Sequence, residues 1–85
     1  MPEISRFYGI VVTINDYHHQ PPHFHARYGE HRALIGLSGA VLAGRLPSRA
    51  LDLVRTWGEQ HRDELLADWE RARTLQPLVP IAPLE

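Results

Sequence analysis

From Phe7 to Ile14 the stretch FYGIVVTI is β-branched and aromatic, and Tyr8, Ile10, Val12 and Ile14 fall on one side at a period of two. That alternation predicts a strand with one buried face. Asn15 to Pro22 interrupts it with turn formers and the pair Pro21-Pro22, which lack ladder donors and hold the residues before them extended, so a stiffened loop is expected. Strand character returns at His23 to Tyr28. Gly29-Glu30 then suits a two-residue hairpin turn with glycine at its first central position. A third strand from about Arg32 to Leu37, a turn at Ser38-Gly39 and a short fourth strand from Ala40 to Leu46 complete a meander.

The period changes after Leu46-Pro47-Ser48, where a proline and a capping hydroxyl precede Arg49. Ala50, Val54, Trp57, His61, Leu65, Trp69 and Ala72 recur every three or four residues as one apolar stripe, with Arg, Glu and Asp at most outer positions. Gly58 costs the helical run about 1 kcal/mol relative to alanine and predicts either one kinked helix or two consecutive helices. Asp63 and Glu64 suit the start of the second. Pro77, Pro80 and Pro83 exclude a helix from Gln76 to Glu85 and leave an extended Pro-rich tail, in which Leu78, Val79 and Ile81 have apolar surface to pack. The expected class is α+β. An antiparallel meander sheet of about four strands is packed by one kinked helix or two consecutive helices, as a single domain over residues 1–75 with the tail at 76–85.

Composition narrows the function classes. A chain of 85 residues has room for one core, and 44% hydrophobic residues with 22% charged ones exclude the signature of disorder. A net charge of −1 argues against affinity won mainly by neutralising many phosphates, although the charge is uneven: six arginines face four acids through Arg55, and three face six beyond it. The absence of cysteine removes both a disulfide framework and a thiolate zinc site, so any metal must be held by imidazole and carboxylate groups. The opening residues from Met1 to Arg6 have no signal-peptide pattern, and no apolar run approaches the ~20 residues that span a bilayer. A cytoplasmic protein without membrane contact is expected.

The distinctive chemistry lies in His18-His19-Gln20-Pro21-Pro22-His23-Phe24-His25. Two residues apart on a strand, His23 and His25 project to the same side, and His19 approaches across the Pro-Pro turn. With His61 from the helix stripe, these make a candidate ligand set of His19, His23, His25 and His61 for a divalent transition metal, zinc first among them, with Asp16 or His18 as a further ligand or supporting acceptor. The competing reading is a solvated or hydrogen-bonded cluster without metal. His61 has its own plain alternative, a core histidine with one hydrogen-bond partner. Geometry raises an objection too: if Phe24 and Ala26 face the helices, His23 and His25 face away from His61.

Arg27 continues the side of His23 and His25, with Arg32 and Arg45 on neighbouring predicted strands, so the face has the residue types of an anion site. An imidazole base at His23 or His25, with Arg27 as phosphate clamp, also fits metal-independent cleavage of RNA. Against this stands ordinary solubilising arginine, the chain's only strong cation. Trp57 and Trp69 belong to the apolar stripe and are expected in the core rather than as base-stacking platforms.

At PPHFHA, from Pro21 to Ala26, the chain resembles a widespread family of short bacterial proteins that share this signature and have no assigned function. The likeness extends to the opening Pro2 to Gly9, Tyr28-Gly29, Gly44-Arg45-Leu46-Pro47, Arg49-Ala50-Leu51, Trp57, His61 and Glu64-Leu65. What the resemblance implies is a cytosolic accessory or regulatory protein, encoded beside a second small protein in toxin-antitoxin-like pairs. The motif positions it carries over are His19, Pro21, Pro22, His23, Phe24, His25 and His61. Partners in view are that neighbouring gene product, a second copy, or more weakly RNA or DNA. A third reading is a pure interaction module that recruits its partner through a sheet edge and the tail.

Overall fold

The structure, a computed structural model, describes residues 3–15 and 21–85. Five strands, β1 (Glu3–Phe7), β2 (Ile10–Thr13), β3 (His23–Tyr28), β4 (His31–Gly36) and β5 (Val41–Arg45), form one antiparallel sheet in the order β1-β2-β3-β4-β5. Two helices follow, α1 (Ser48–Gln60) and α2 (Arg62–Arg73). The α+β meander stands, with five strands rather than about four.

The extra strand is β1, which lies almost wholly before the strand expected from Phe7 to Ile14; that strand is shortened to β2, and only Phe7 of the expected segment belongs to β1. Tyr8 and Gly9 have φ of 50° and 80°, the pair of positive values that makes a type I′ two-residue hairpin between β1 and β2. Tyr8 is consequently 60% exposed at the turn and does not join Ile10, Val12 and Ile14 on the buried side. The Gly29-Glu30 turn forms as expected, with Gly29 at φ 59° between β3 and β4. Gly44, at φ 76° in β5, has no such freedom to change. A Cβ there would lie 2.3 Å from the Arg32 carbonyl oxygen, so the β4–β5 pairing closes only around a glycine.

One side of the sheet is apolar and meets the helices. Ile10, Val12, Phe24, Ala26, Ala33 and Ile35 are buried against Val54, Trp57, Leu65 and Trp69. Trp57 sits at the centre, its ring tilted against Phe7 at 5.3 Å and edge-on to Phe24 at 5.8 Å. The helical stripe is as read from its period, but the break falls at His61, not at Gly58. Gly58 stays inside α1, buried beside Phe24 and Leu65. At His61 the backbone leaves helical geometry (φ −118°, ψ 28°), and α2 restarts with Asp63 and Glu64 in its first turn. Ser48 is the first helical residue rather than the cap; the capping position belongs to Pro47, and no side-chain cap bond forms.

Residues 76–85 hold neither helix nor strand. Ile81 is buried and donates its N–H to the Ile4 carbonyl of β1 at 2.8 Å, and Trp57 Nε1 donates to the Ala82 carbonyl at 2.8 Å. The buried Asp68 carboxylate accepts from Arg71 at 2.7 Å and from the Val79 N–H at 2.9 Å, which ties α2 to the same segment. Leu78 is partly buried on the core, and Val79 is exposed. Among the described residues no helix is long and apolar enough to cross a membrane.

Candidate functional site: the open face of the sheet

Alternation sends every second side chain of the strands away from the helices. Strand register then sorts these outward residues into two rows running across the sheet. The first row reads Arg6, Val11, Arg27, Arg32 and Arg45, each paired directly with the next across β1 to β5. The second reads Glu3, Thr13, His25, Leu34 and Ala43. Glu3, Val11, Thr13, His25, Arg27 and Arg32 line one shallow depression of about 370 Å³.

Charge on this face is lopsided. Arg6 makes a two-pronged pair with Glu3, at 2.7 and 3.2 Å, and that bond holds the Glu3 carboxyl below its ordinary value. Among the described residues Arg27, Arg32 and Arg45 make no ion pair. Arg32 stands directly opposite Arg27 on one side and Arg45 on the other, an arrangement of like charges that disfavours folding by roughly 0.2–1 kcal/mol per pair. The helices carry the balancing acids at Asp52, Glu59, Asp63, Glu64 and Glu70.

The histidines separate into different environments. His25 is half-buried on the open face, where the Asn15 amide donates to its Nε2 at 3.0 Å. Burial, and secondarily the charge of His23, holds its pKa below the usual 6.5, so it presents a neutral imidazole. His23 opens β3 and is 9% exposed. Its Nδ1–H donates to the Pro21 carbonyl at 2.8 Å, and its ring lies 4.8 Å from Trp69 of α2. The expectation that both rings face away from the helices therefore applies to His25 but not to His23, which the Trp69 ring draws into the core. The two rings remain 6.0 Å apart.

His61 occupies the junction of α1 and α2, its Nδ1–H donating to Glu64 at 2.6 Å and its ring 5.7 Å from Trp57. That is the arrangement of a helix-junction histidine with one hydrogen-bond partner. His19, with His18 and Asp16, lies outside the described residues. Among the described residues no group of three or more His, Cys, Asp or Glu side chains is placed to hold a metal.

Sequence reasoning named His25, Arg27, Arg32 and Arg45 but missed Arg6, Glu3, Thr13 and Asn15 beside them. One signal for the row was legible. Arg27 and Arg32 stand at equal distances from the Gly29-Glu30 turn, so a hairpin in that register sets them opposite each other. In comparison with known proteins, the family model described as Domain of unknown function (DUF4160) matches residues 9–70. That span takes in β2 to β5 and nearly all of both helices, and leaves out β1 and the tail. No curated protein and no solved structure matches the chain.

Proposed function

This chain belongs to the family described as Domain of unknown function (DUF4160), and we propose that it is a small accessory or regulatory protein that works by binding a polyanionic partner on the open face of its sheet. The observation that carries this reading is the run Arg27, Arg32, Arg45. Three arginines stand directly opposite one another with no acid between them among the described residues, at a cost to the fold that a surface serving only solubility has no reason to bear. Guanidinium groups present planar pairs of donors that match phosphate and sulfate oxygens, which makes this the better-suited of the two strong cations for the task. The test is heparin affinity at low ionic strength. Wild type is retained and elutes at higher salt than the triple variant Arg27→Gln, Arg32→Gln, Arg45→Gln, with both checked for folding by circular dichroism. Equal elution of the two proteins overturns the proposal.

A second reading keeps a divalent-metal site at His23 and His25, in a protein that partners a neighbouring gene product in a toxin-antitoxin-like pair. It is favoured by the 6.0 Å separation of the rings, a distance two ligands of one zinc can span at Zn–N bonds of about 2.0–2.1 Å, and by the Pro21 carbonyl, which holds the Nδ1 proton of His23 and leaves its Nε2 lone pair for a metal; His25 would join by giving up the Asn15 amide at its Nε2. Zinc titration of untagged protein, monitored by calorimetry, supports this reading if affinity is tighter than about micromolar and is lost in His23→Ala; no heat of binding removes it.

A further inference from the structure

We infer that the polyanion held by the open face is a single-stranded nucleic acid, its phosphodiester backbone lying along the arginine row and its bases over the row of His25; this rests on the polyanion reading above. The two rows differ in kind. The Arg6 to Arg45 row crosses five strands, a span of about 19 Å at ~4.8 Å per strand, which accommodates about five phosphates at the ~3.4 Å rise of a stacked strand. The adjacent row begins with Glu3, whose carboxylate is held by Arg6, and continues with the Thr13 hydroxyl, the neutral imidazole of His25 and the apolar surfaces of Leu34 and Ala43. Across β3 to β5, charge on one side (Arg27, Arg32, Arg45) and neutral polar and apolar groups on the other (His25, Leu34, Ala43) is the division a single strand itself presents, with phosphates along one margin and unpaired bases along the other.

A duplex fits this face less well. Its bases are stacked inside, where the His25 row cannot meet them, and both helices pack on the opposite side of the sheet, so among the described residues no helix stands over the arginine row to enter a groove. An acidic protein fits less well too. The arginine row would pair with the carboxylates of such a partner, but the adjacent row opens on the Glu3 carboxylate and continues through the uncharged Thr13, His25, Leu34 and Ala43, so it offers an acidic surface no second line of cations. The proposed contact is electrostatic and sequence-tolerant, with His25 supplying stacking and a hydrogen bond rather than charge.

The experiment is fluorescence anisotropy with a labelled 12-nucleotide oligouridine, the same length of RNA duplex, and a poly-glutamate peptide, each titrated from 50 to 200 mM salt. The single strand is expected to bind at least about 5-fold more tightly than the duplex or the peptide, with a log–log salt slope near −2 for three phosphate contacts. Arg32→Gln alone brings that slope to about −1.4. His25→Ala weakens oligouridine binding several-fold while leaving the salt slope and the heparin elution unchanged. His25→Gln, which keeps a polar side chain of similar reach, serves if the alanine variant fails to fold. Heparin retention with a duplex or poly-glutamate bound as tightly as oligouridine overturns this inference and spares the polyanion reading; loss of heparin retention overturns both. Oligouridine recovered intact after incubation assigns the surface to binding, and cleavage abolished by His25→Gln extends the same site to catalysis.

Discussion

The same five strands present two faces that are held by opposite physics. On the inner face Ile10, Val12, Phe24, Ala26, Ala33 and Ile35 are almost wholly removed from water, and their contacts with Trp57, Leu65 and Trp69 supply the apolar burial on which a chain of 85 residues depends. On the outer face the residues one position along hold three arginines in register, without an ion pair among the described residues, an arrangement that works against the fold. Neighbouring residues of one strand, such as Phe24 and His25 or Ala26 and Arg27, therefore serve stability and recognition separately. The lesson is that a substitution's effect depends on strand parity more than on position along the chain.

The sharpest way to break this contrast is Phe24→Ala, which opens a cavity between β3 and Trp57 and is expected to destabilise by about 3–5 kcal/mol, read as a drop in the urea midpoint or as an unfolded chain. Gly44→Ala comes next. Its Cβ would meet the Arg32 carbonyl at 2.3 Å and its φ of 76° disfavours any L side chain, so a loss of about 1–3 kcal/mol is expected without any change in buried apolar area.

On the outer face the sign should reverse. Arg32→Gln removes the charge opposed to both Arg27 and Arg45 and, at the per-pair cost above, is expected to stabilise by about 0.4–2 kcal/mol, visible as a raised urea midpoint, even as polyanion binding weakens. Destabilisation by that variant would erase the distinction drawn between the faces. The smallest effect concerns acid. Because the folded pKa of His25 lies below 6.5, the unfolded chain takes up the proton first as pH falls, so stability held above pH 6.5 declines through the interval down to the folded pKa. Comparing urea midpoints at pH 7.5 and 5.5, His25→Gln should show the smaller decline of the two proteins.

Much of the fold was legible because period and parity are local properties. The helical stripe from Ala50 to Ala72 and the hairpin at Gly29-Glu30 follow from spacing and turn chemistry that neighbouring residues determine on their own. The turn at Tyr8-Gly9 is signalled by a glycine inside an apparent strand and masked by alternation that continues across it, and β1 before it is a five-residue edge strand with two polar positions outside the core. The helix break moved from Gly58 to His61 because Gly58 sits where α1 crosses Phe24, a contact made between residues distant in sequence.

The candidate site divides along the same line. That His25 and Arg27 share a side of one strand follows from their separation alone, and the sequence by itself determined it, as it determined the absence of thiolate chemistry. Tertiary structure decided which of the two β3 histidines stands on the open face. His23 has the same parity as His25 but lies against Trp69 of α2, and His61 is engaged by Glu64 at the helix junction. It also decided that Arg6 and Arg45, thirty-nine positions apart in the chain, belong to one row, because pairing register is a property of whole strands brought together by the core beneath them.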